Sequence, residues 1–385
     1  MFDDFLDDDE FEGEDAGANI SAPAGATLPP PSANPDLFGH EANEKALLEL
    51  YNDGKLPHAL IFSGPFGVGK ATAAFRLARF LLKHGAGGDD GQDSLFGEVP
   101  AKPDTLFVSI DDPVARKIAA GGHPDLRYIE RPMDERKGVK KTGVDVDSIR
   151  EIAPFLRMTT AEGGWRIVIV DEAETMTRQA QNAVLKILEE PPPQSLIILV
   201  CARLGSMIPT IRSRCRTFHF APLKAETMTN LMLRAAPEAS KSELALLSDL
   251  SDGSVGRATV LHQEEGVNAL HSFIAFAVGW PDFNWEQIHP WADNLSKPGM
   301  ENAYDGFVTV AEWTIRTMTL CKALARPLPA VLATEPMERL LQHYSLEQWV
   351  AICEKLKEHF IAINVSNLDK HQGVIGAFTI LGGRF

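Results

Sequence analysis

A phosphate-binding loop is the clearest chemical motif in this sequence. Residues 64–70 read GPFGVGK, which matches the pattern GxxxxGK between an apolar run and a helix-forming segment. Gly64, Gly67 and Gly69 would let backbone N–H groups curl around phosphate oxygens, and Lys70 would meet the β- and γ-phosphates of a nucleotide. A tight glycine turn without a ligand is the alternative, and the match in both pattern and context argues against it.

The residue after the lysine departs from the pattern. Ser or Thr at this place ligates Mg²⁺ through its hydroxyl, but the sequence has Ala71, which offers no oxygen. Thr72 follows, yet one step along a helix turns a side chain by about 100°, so Thr72 is not expected to replace the ligand. The sequence predicts that ATP or ADP can bind, that hydrolysis is impaired, and that Mg²⁺ is weakly held or absent.

Two acidic residues, Asp171 and Glu172, directly follow the apolar run RIVIV. Carboxylates at the end of a buried strand are costly unless something uses them. In P-loop proteins the Asp belongs to the magnesium shell and the Glu can polarise the attacking water. The alternative is an acidic helix start, since carboxylates favour helix N-termini. The glycine loop makes nucleotide binding the better interpretation.

A parallel sheet is the element that would position these groups. Five short apolar runs alternate with helix-forming segments, at residues 58–62, 126–130, 166–170, 196–200 and 216–220. Continuous apolar strands separated by helices are typical of a parallel sheet covered on both faces. After Pro222 only helical patterns follow. The fold class predicted is therefore α/β, followed by all-α regions.

Composition divides the chain into four parts. Nine carboxylates lie within the first fifteen residues, and an Ala-, Gly-, Ser- and Pro-rich stretch follows them. Such a segment has too little apolar surface to fold. We therefore predict a disordered acidic tail (1–36), an α/β P-loop domain (37–222), a small helical lid (223–277) and a C-terminal helical domain (278–385).

Charge and cysteine usage limit the partners and the compartment. A net charge of −16 disfavours binding of nucleic acid over a wide surface, because the phosphates are also negative. Proteins are therefore the expected partners. No run approaches the ~20 apolar residues that cross a bilayer, so no membrane partner is expected. The four cysteines are far apart and form no CxxC pair. This predicts no metal site and suits a reducing cytoplasm.

The order of the motifs resembles the clamp-loader branch of the AAA+ ATPases. The resemblance rests on the DEA of residues 171–173, on NAVLKILEEPP at 182–192, on SRC at 213–215 and on DGSVGRA at 252–258. It is dense from about residue 38 to 261 and thin in the C-terminal third. It implies an AAA+ P-loop sheet domain, a helical lid and a C-terminal domain that forms a collar in a hetero-oligomeric ring.

The resemblance also assigns roles to two arginines. Arg214 of the SRC motif would reach the nucleotide of a neighbouring subunit and act there as an arginine finger, in trans. A structural arginine that pairs with a local carboxylate is the alternative. Arg257 matches a lid arginine that points at nucleotide phosphates, and its alternative is a solvated residue in the first turn of a helix.

Departures from the family pattern shape the functional prediction. The small polar sensor expected after the strand at 196–200 is absent, since Cys201, Ala202 and Arg203 stand there. Cysteines of a zinc module found in many relatives are also absent, which predicts no zinc. We therefore expect a largely non-hydrolysing scaffold subunit whose partners are other clamp-loader subunits, the sliding clamp and primed DNA.

Two other hypotheses remain open. The chain could be a slow but genuine ATPase of the same family, with Thr72 or water in the magnesium shell. An unrelated P-loop protein, such as a small-molecule kinase, would leave the LEEPP and SRC motifs unexplained.

A short peptide at residues 92–96, QDSLF, is similar to peptides that dock on the sliding clamp. An incidental loop is the alternative.

Overall fold

The computed structural model describes residues 28–85, 102–134, 139–140, 143–161, 164–280, 282–365 and 368–383. The strands are β1 (Ala59–Ser63), β2 (Leu126–Ile129), β3 (Met133–Asp134), β4 (Val139–Lys140), β5 (Arg166–Val170), β6 (Ser195–Cys201) and β7 (Arg216–His219). The helices are α1 (Glu41–Asn52), α2 (Lys70–His84), α3 (Pro113–Ala119), α4 (Val146–Arg150), α5 (Ile152–Arg157), α6 (Arg178–Glu189), α7 (Pro209–Arg212), α8 (Ala225–Ala235), α9 (Lys241–Leu250), α10 (Val255–Gln263), α11 (Gly266–Ala277), α12 (Trp285–Leu295), α13 (Glu301–Leu324), α14 (Glu335–His343), α15 (Leu346–Val365) and α16 (Lys370–Leu381).

A five-stranded parallel sheet forms the centre of the N-terminal half, in the order β2-β5-β6-β1-β7. All five predicted strands are present, and the predicted α/β class is confirmed. Every residue of β1, β5 and β6 is buried, which is the reason for their continuous apolar sequences. Alternate residues face opposite layers: Leu60 and Phe62 pack with α2, whereas Ala59 and Ile61 pack with α4 to α6.

Local signals fix the ends of the helices next to the sheet. Helix α6 begins at a Thr177 cap, whose hydroxyl accepts a hydrogen bond from the backbone N–H of Ala180. It ends before three consecutive prolines at 191–193, which cannot continue a helix. Helix α10 begins in the same way at Ser254. Helix α6 ends at Glu189, and the first turn of α10 touches the phosphate-binding loop.

The C-terminal half is entirely helical in the residues described after β7. Helices α8 to α16 share one apolar cluster that runs from Leu223 to Leu381, so the predicted lid and collar are not separated by a break in the core. Helix α11 packs on α13 although the predicted boundary at residue 277 assigns it to the lid. The boundaries themselves stay a prediction. Within the described ranges, no helix is both long and apolar enough to cross a membrane.

The predicted disordered tail needs a correction at its C-terminal end. Residues 28–36 belong to the described part of the chain and lie against α2. Two buried arginines of this helix hold them: Arg79 donates to the carbonyl oxygen of Ser32 at 3.0 Å, and Arg76 donates to that of Pro35. Backbone carbonyls are available in any sequence, so composition could not reveal this contact. Residues 1–27 lie outside the described part.

Candidate functional site

The glycine loop joins β1 to α2 at the carboxyl edge of the sheet, as the sequence predicted. The φ angles of Gly64, Gly67 and Gly69 are +153°, +69° and +105°, which L side chains rarely adopt. At Gly64 a Cβ atom would also lie 2.1 Å from the backbone oxygen of Phe220. The loop can therefore be built only with glycine at these positions, and Gly69 forms the N-cap of α2.

Lys70 is buried and bonded to its own loop. Its Nζ donates to the carbonyl oxygens of Gly64 at 2.7 Å and Pro65 at 2.6 Å. Burial lowers the pKa of Lys70, while the negative charge of nearby Asp171 acts in the opposite direction. The lysine thus stabilises the loop conformation as the structure shows it, and a phosphate would have to compete with two carbonyl groups.

Asp171 follows β5 and lies at the edge of the sheet where the loop begins. The hydroxyl of Tyr128, in the neighbouring strand β2, donates to its Oδ2 at 2.9 Å. The backbone N–H of Glu172 donates to its Oδ1, also at 2.9 Å. Burial raises the pKa of the Asp171 carboxyl. Both of its oxygens therefore already have protein donors.

Glu172 is held by an arginine that sequence reasoning did not single out. Nε and Nη2 of Arg131 donate to its two carboxylate oxygens, the second at 3.0 Å. Such a fork is the strong geometry of an arginine–carboxylate pair. Glu172 also has a φ of +49°, in the left-handed region that non-glycine residues rarely occupy. The pair fixes the carboxylate of the predicted water-polarising residue on Arg131.

Two further residues stand beside Lys70 that the sequence analysis did not select. Glu174 lies close enough for its negative charge to act on the Lys70 ammonium group, and the Cys201 thiol is also near it. Burial raises the pKa of Glu174, and it raises the pKa of the Cys201 thiol to about 12. Among the described residues, Oε2 of Glu174 has no hydrogen-bond partner. Its position as the last acid of DEAE was the available signal.

The residues fit a phosphate group better than they fit a magnesium ion. Positive-φ glycines, the N-terminus of α2 and Lys70 form the usual cradle for phosphate. Ala71 stands in the first turn of α2 and offers only a methyl group, and Thr72, also half-buried there, is the next residue along the helix. Asp171 and Glu172 are hydrogen-bonded to Tyr128 and Arg131, so each would have to share or exchange these donors in order to ligate Mg²⁺.

The lid reaches the loop through backbone contact. The N–H of Gly256, at the start of α10, donates to the carbonyl oxygen of Gly67 at 3.0 Å. Arg257 is the next residue, but its guanidinium lies near Asp252, with 3.6 Å between Nη1 and Oδ2. The structure therefore brings the start of α10 to the loop and pairs the predicted lid arginine with Asp252.

Arg214 lies on the surface between α7 and β7. Its Nη2 is 2.8 Å from Oε1 of Glu189, and its Nη1 donates to the carbonyl oxygen of Thr210 at 3.1 Å. Both partners of the ion pair are exposed. The neighbouring Cys215 is half-buried, and burial raises the pKa of its thiol to about 12. Arg214 thus combines a local carboxylate partner with exposure to a neighbouring molecule.

Comparison with known proteins identifies the family. A family model described as "DNA polymerase III, delta subunit" matches residues 107–224. The chain is 31% identical to DNA polymerase III subunit delta' of Pseudomonas aeruginosa, over 53% of this chain and 56% of that protein. It is 30% identical to the subunit delta' of Escherichia coli, over 63% of this chain and 66% of that protein. It is 26% identical to the subunit delta' of Bacillus subtilis, over 65% of this chain and 73% of that protein.

These alignments span 56% to 73% of the length of the three relatives. The structure itself has the parallel sheet, the glycine loop after β1 and the acidic pair after β5 that the sequence predicted. The clamp-docking peptide proposed at residues 92–96 lies outside the described residues and stays a prediction. From the matches and the fold together, the chain belongs to the clamp-loader branch of the AAA+ proteins.

Proposed function

We propose that this chain is a delta'-like subunit of a bacterial DNA polymerase III clamp loader. In this role it is a largely non-hydrolysing scaffold that supplies Arg214 as an arginine finger to a neighbouring ATPase subunit during sliding-clamp loading in DNA replication. Its partners are then the delta and gamma/tau subunits in a hetero-oligomeric ring, together with the sliding clamp. Primed DNA meets the assembled complex through backbone phosphates, and the compartment is the cytoplasm.

One contrast carries the proposal. The groups of the chain's own site are engaged internally: Lys70 by the carbonyls of its loop, and Asp171 and Glu172 by Tyr128 and Arg131. Ala71 supplies no ligand for Mg²⁺. Arg214, by comparison, is exposed and is held by Glu189 and by the carbonyl group of Thr210. The arrangement supports a chain that completes a neighbour's site rather than operating its own.

The own site is then a passive one. A nucleotide bound there would have its phosphates held by the N–H groups of the loop from Gly64 to Gly69 and by Lys70. Lys70 would exchange its two carbonyl acceptors for phosphate oxygens, so binding would rearrange the loop rather than leave it as described. Ala71 supplies no magnesium ligand, and no zinc is expected. The bound nucleotide would therefore stabilise the conformation of the subunit and would not be hydrolysed.

Arg214 would act electrostatically. A guanidinium placed at the γ-phosphate of a neighbour's nucleotide stabilises the charge that develops in the transition state, with rate effects on the order of 10³ to 10⁵. To reach that position Arg214 would leave Glu189. The exposed pair is worth about 0–1 kcal/mol, so its loss is a small barrier to the movement.

The test is steady-state ATP turnover of the reconstituted loader with clamp and primed DNA. Arg214→Ala, Lys70→Ala and Arg212→Ala are introduced in this chain only, and Arg212 is a matched control because it is exposed and lies two residues away. We expect Arg214→Ala to lower turnover about tenfold or more, while the other two variants stay within about twofold of the wild type.

A large loss with Lys70→Ala would instead identify a working ATPase of the gamma/tau type. Turnover unaffected by Arg214→Ala would leave Arg214 as a structural partner of Glu189 and would overturn the proposal. Equal losses in the Arg214 and Arg212 variants would point to a surface charge effect and would overturn the assignment of a single finger.

A further inference from the structure

Arg257 occupies an unusual position for a lid arginine. Its backbone N–H is bonded to the hydroxyl of Ser254 in the first turn of α10, and the preceding Gly256 touches the phosphate-binding loop. Its side chain is largely buried and paired with Asp252. Within the described residues, Nε of Arg257 has no hydrogen-bond partner. The guanidinium is therefore largely buried while at least one of its N–H donors lacks a hydrogen-bond partner among the described residues.

Asp252 binds a second arginine from another part of the molecule. Nη2 of Arg316, on α13 of the collar, donates to the same Oδ2 atom that faces Arg257. One carboxylate oxygen thus stands between two guanidinium groups, one from the lid and one from the collar. Asp252 has a φ of +50°, a conformation that Asp and Asn tolerate better than most residues.

The charges around this group are balanced closely. Burial lowers the pKa of Arg257, and the positive charge of Arg316 lowers it further. Glu312 lies one turn before Arg316 on α13, and burial raises the pKa of its carboxyl while the charges of Arg257, Lys357 and Arg316 oppose that effect. Asp252 and Glu312 both offset the repulsion between the two arginines, and Asp252 is the carboxylate that pairs with both guanidinium groups at one oxygen.

We propose that Asp252 is a positioning residue: its carboxylate holds the Arg257 guanidinium at the collar helix α13, away from the phosphate-binding loop, and Arg316 competes for the same oxygen. A shift of α13 that takes Arg316 closer to Asp252 or removes it from Asp252 would change how firmly Arg257 is held. This inference rests on the proposed function in one respect, namely that the loop of this chain can receive a phosphate.

The lid would not have to move for Arg257 to be released. Gly256 is already hydrogen-bonded to Gly67, so the backbone of α10 is at the loop before any change occurs. A change of side-chain rotamer at Arg257 is enough to take the guanidinium out of the Asp252 pair. The position of the collar would in this way be linked to phosphate binding by a single carboxylate.

The first experiment measures the thermal unfolding of the full chain. Asp252→Asn keeps the shape and the tolerance for positive φ but removes the charge, so the two arginines repel each other and the midpoint should fall by roughly 2–4 °C. Asp252→Asn combined with Arg316→Gln should recover most of the loss. Asp249→Asn is the control, because Asp249 is an exposed residue of the same lid. If the two substitutions change the midpoint by amounts that simply add, the proposal that both arginines share Asp252 is wrong.

The second experiment measures binding of ADP to the same variants by calorimetry. Asp252→Asn should bind ADP about tenfold more tightly than the wild type, the value of one hydrogen bond to a charged group. The gain should vanish when Arg257→Gln is added. Equal affinities, a gain that survives Arg257→Gln, or no detectable binding in any variant would overturn the proposal. None of these results depends on Arg214, so the proposed function is judged separately.

Discussion

Gly67 in the phosphate-binding loop and Gly256 at the start of α10 are in direct backbone contact. The N–H of Gly256 donates to the carbonyl oxygen of Gly67 at 3.0 Å, and a Cβ atom on either residue would lie 2.8 Å from the Cα atom of the other. Two motifs almost two hundred residues apart in the chain thus meet where neither has a side chain. The contact couples the position of α10 to the conformation of the phosphate-binding loop.

Gly256→Ala should separate the lid from the loop. The added methyl group would meet backbone atoms of Gly67, which cannot yield as a flexible side chain could, and overpacking of this kind costs about 1–3 kcal/mol. We expect faster amide hydrogen exchange in residues 64–70 and in the first turn of α10. Gly205→Ala is the control, because no atom lies within 4 Å of its Cβ position. Unchanged exchange in the Gly256 variant would show that the contact is not maintained.

Strands β1, β5 and β6 could be predicted from the sequence because each one is buried on both faces and is therefore apolar throughout. Residues 166–170 were predicted as a strand, and β5 is Arg166–Val170, with Asp171 directly after it. The type of each element and the residues at its end follow from local patterns alone. The phosphate-binding loop could be predicted for the same reason, since its glycines and lysine are consecutive.

The partners of the acidic pair could not be predicted. Tyr128 reaches Asp171 and Arg131 reaches Glu172 only because β2 lies next to β5 in the sheet. The order of parallel strands is decided by tertiary packing, and no local pattern records it. The direction of the Arg257 side chain depends in the same way on Arg316, which belongs to a helix of another part of the chain.

Restoring the missing hydroxyl should not restore hydrolysis. Ala71→Thr supplies a magnesium ligand, but Asp171 and Glu172 stay engaged by Tyr128 and Arg131. We expect ATP turnover by the isolated chain to stay within about twofold of background, because both carboxylates would have to leave these partners before they could hold Mg²⁺ or polarise a water. Turnover that appears in Ala71→Thr and disappears when Lys70→Ala is added would show that the hydroxyl alone was missing.

A buried ion pair at the edge of the sheet should contribute strongly to stability. Arg166 and Asp125 lie 3.2 Å apart, with side chains 6% and 3% exposed. Asp125→Ala leaves the charge of Arg166 buried without its carboxylate, so we expect the free energy of unfolding to fall by about 3–5 kcal/mol in chemical denaturation.

The matched control for this prediction is Asp147→Ala. Asp147 pairs with Arg150 at 3.0 Å, but both side chains are exposed. Its loss should cost no more than about 1 kcal/mol. Similar losses in the two variants would mean that water reaches the Arg166 pair and screens it.

Glu264 should make stability depend on pH. It follows α10, is buried, and lies where α13 passes so closely that a Cβ atom on Gly306 would be 2.2 Å from its backbone oxygen. Burial, and after it the negative charge of Asp305, raise the pKa of Glu264 to about 7. The folded protein thus holds a proton that the unfolded chain releases at a lower pH.

The sign of the effect follows from this difference. Between the unfolded and the folded pKa the folded state binds more protons, so the free energy of unfolding falls as the pH rises, and the loss is complete above about pH 7.

The variant Glu264→Gln cannot ionise. At about pH 8 it should be more stable than the wild type by up to about 3 kcal/mol, and near pH 4 the two should be alike. The measurement is chemical denaturation across this pH range. Glu265→Gln, which removes an exposed neighbouring charge, should keep the wild-type slope. A Glu264→Gln variant with the same slope would mean that this carboxyl titrates as it does in water.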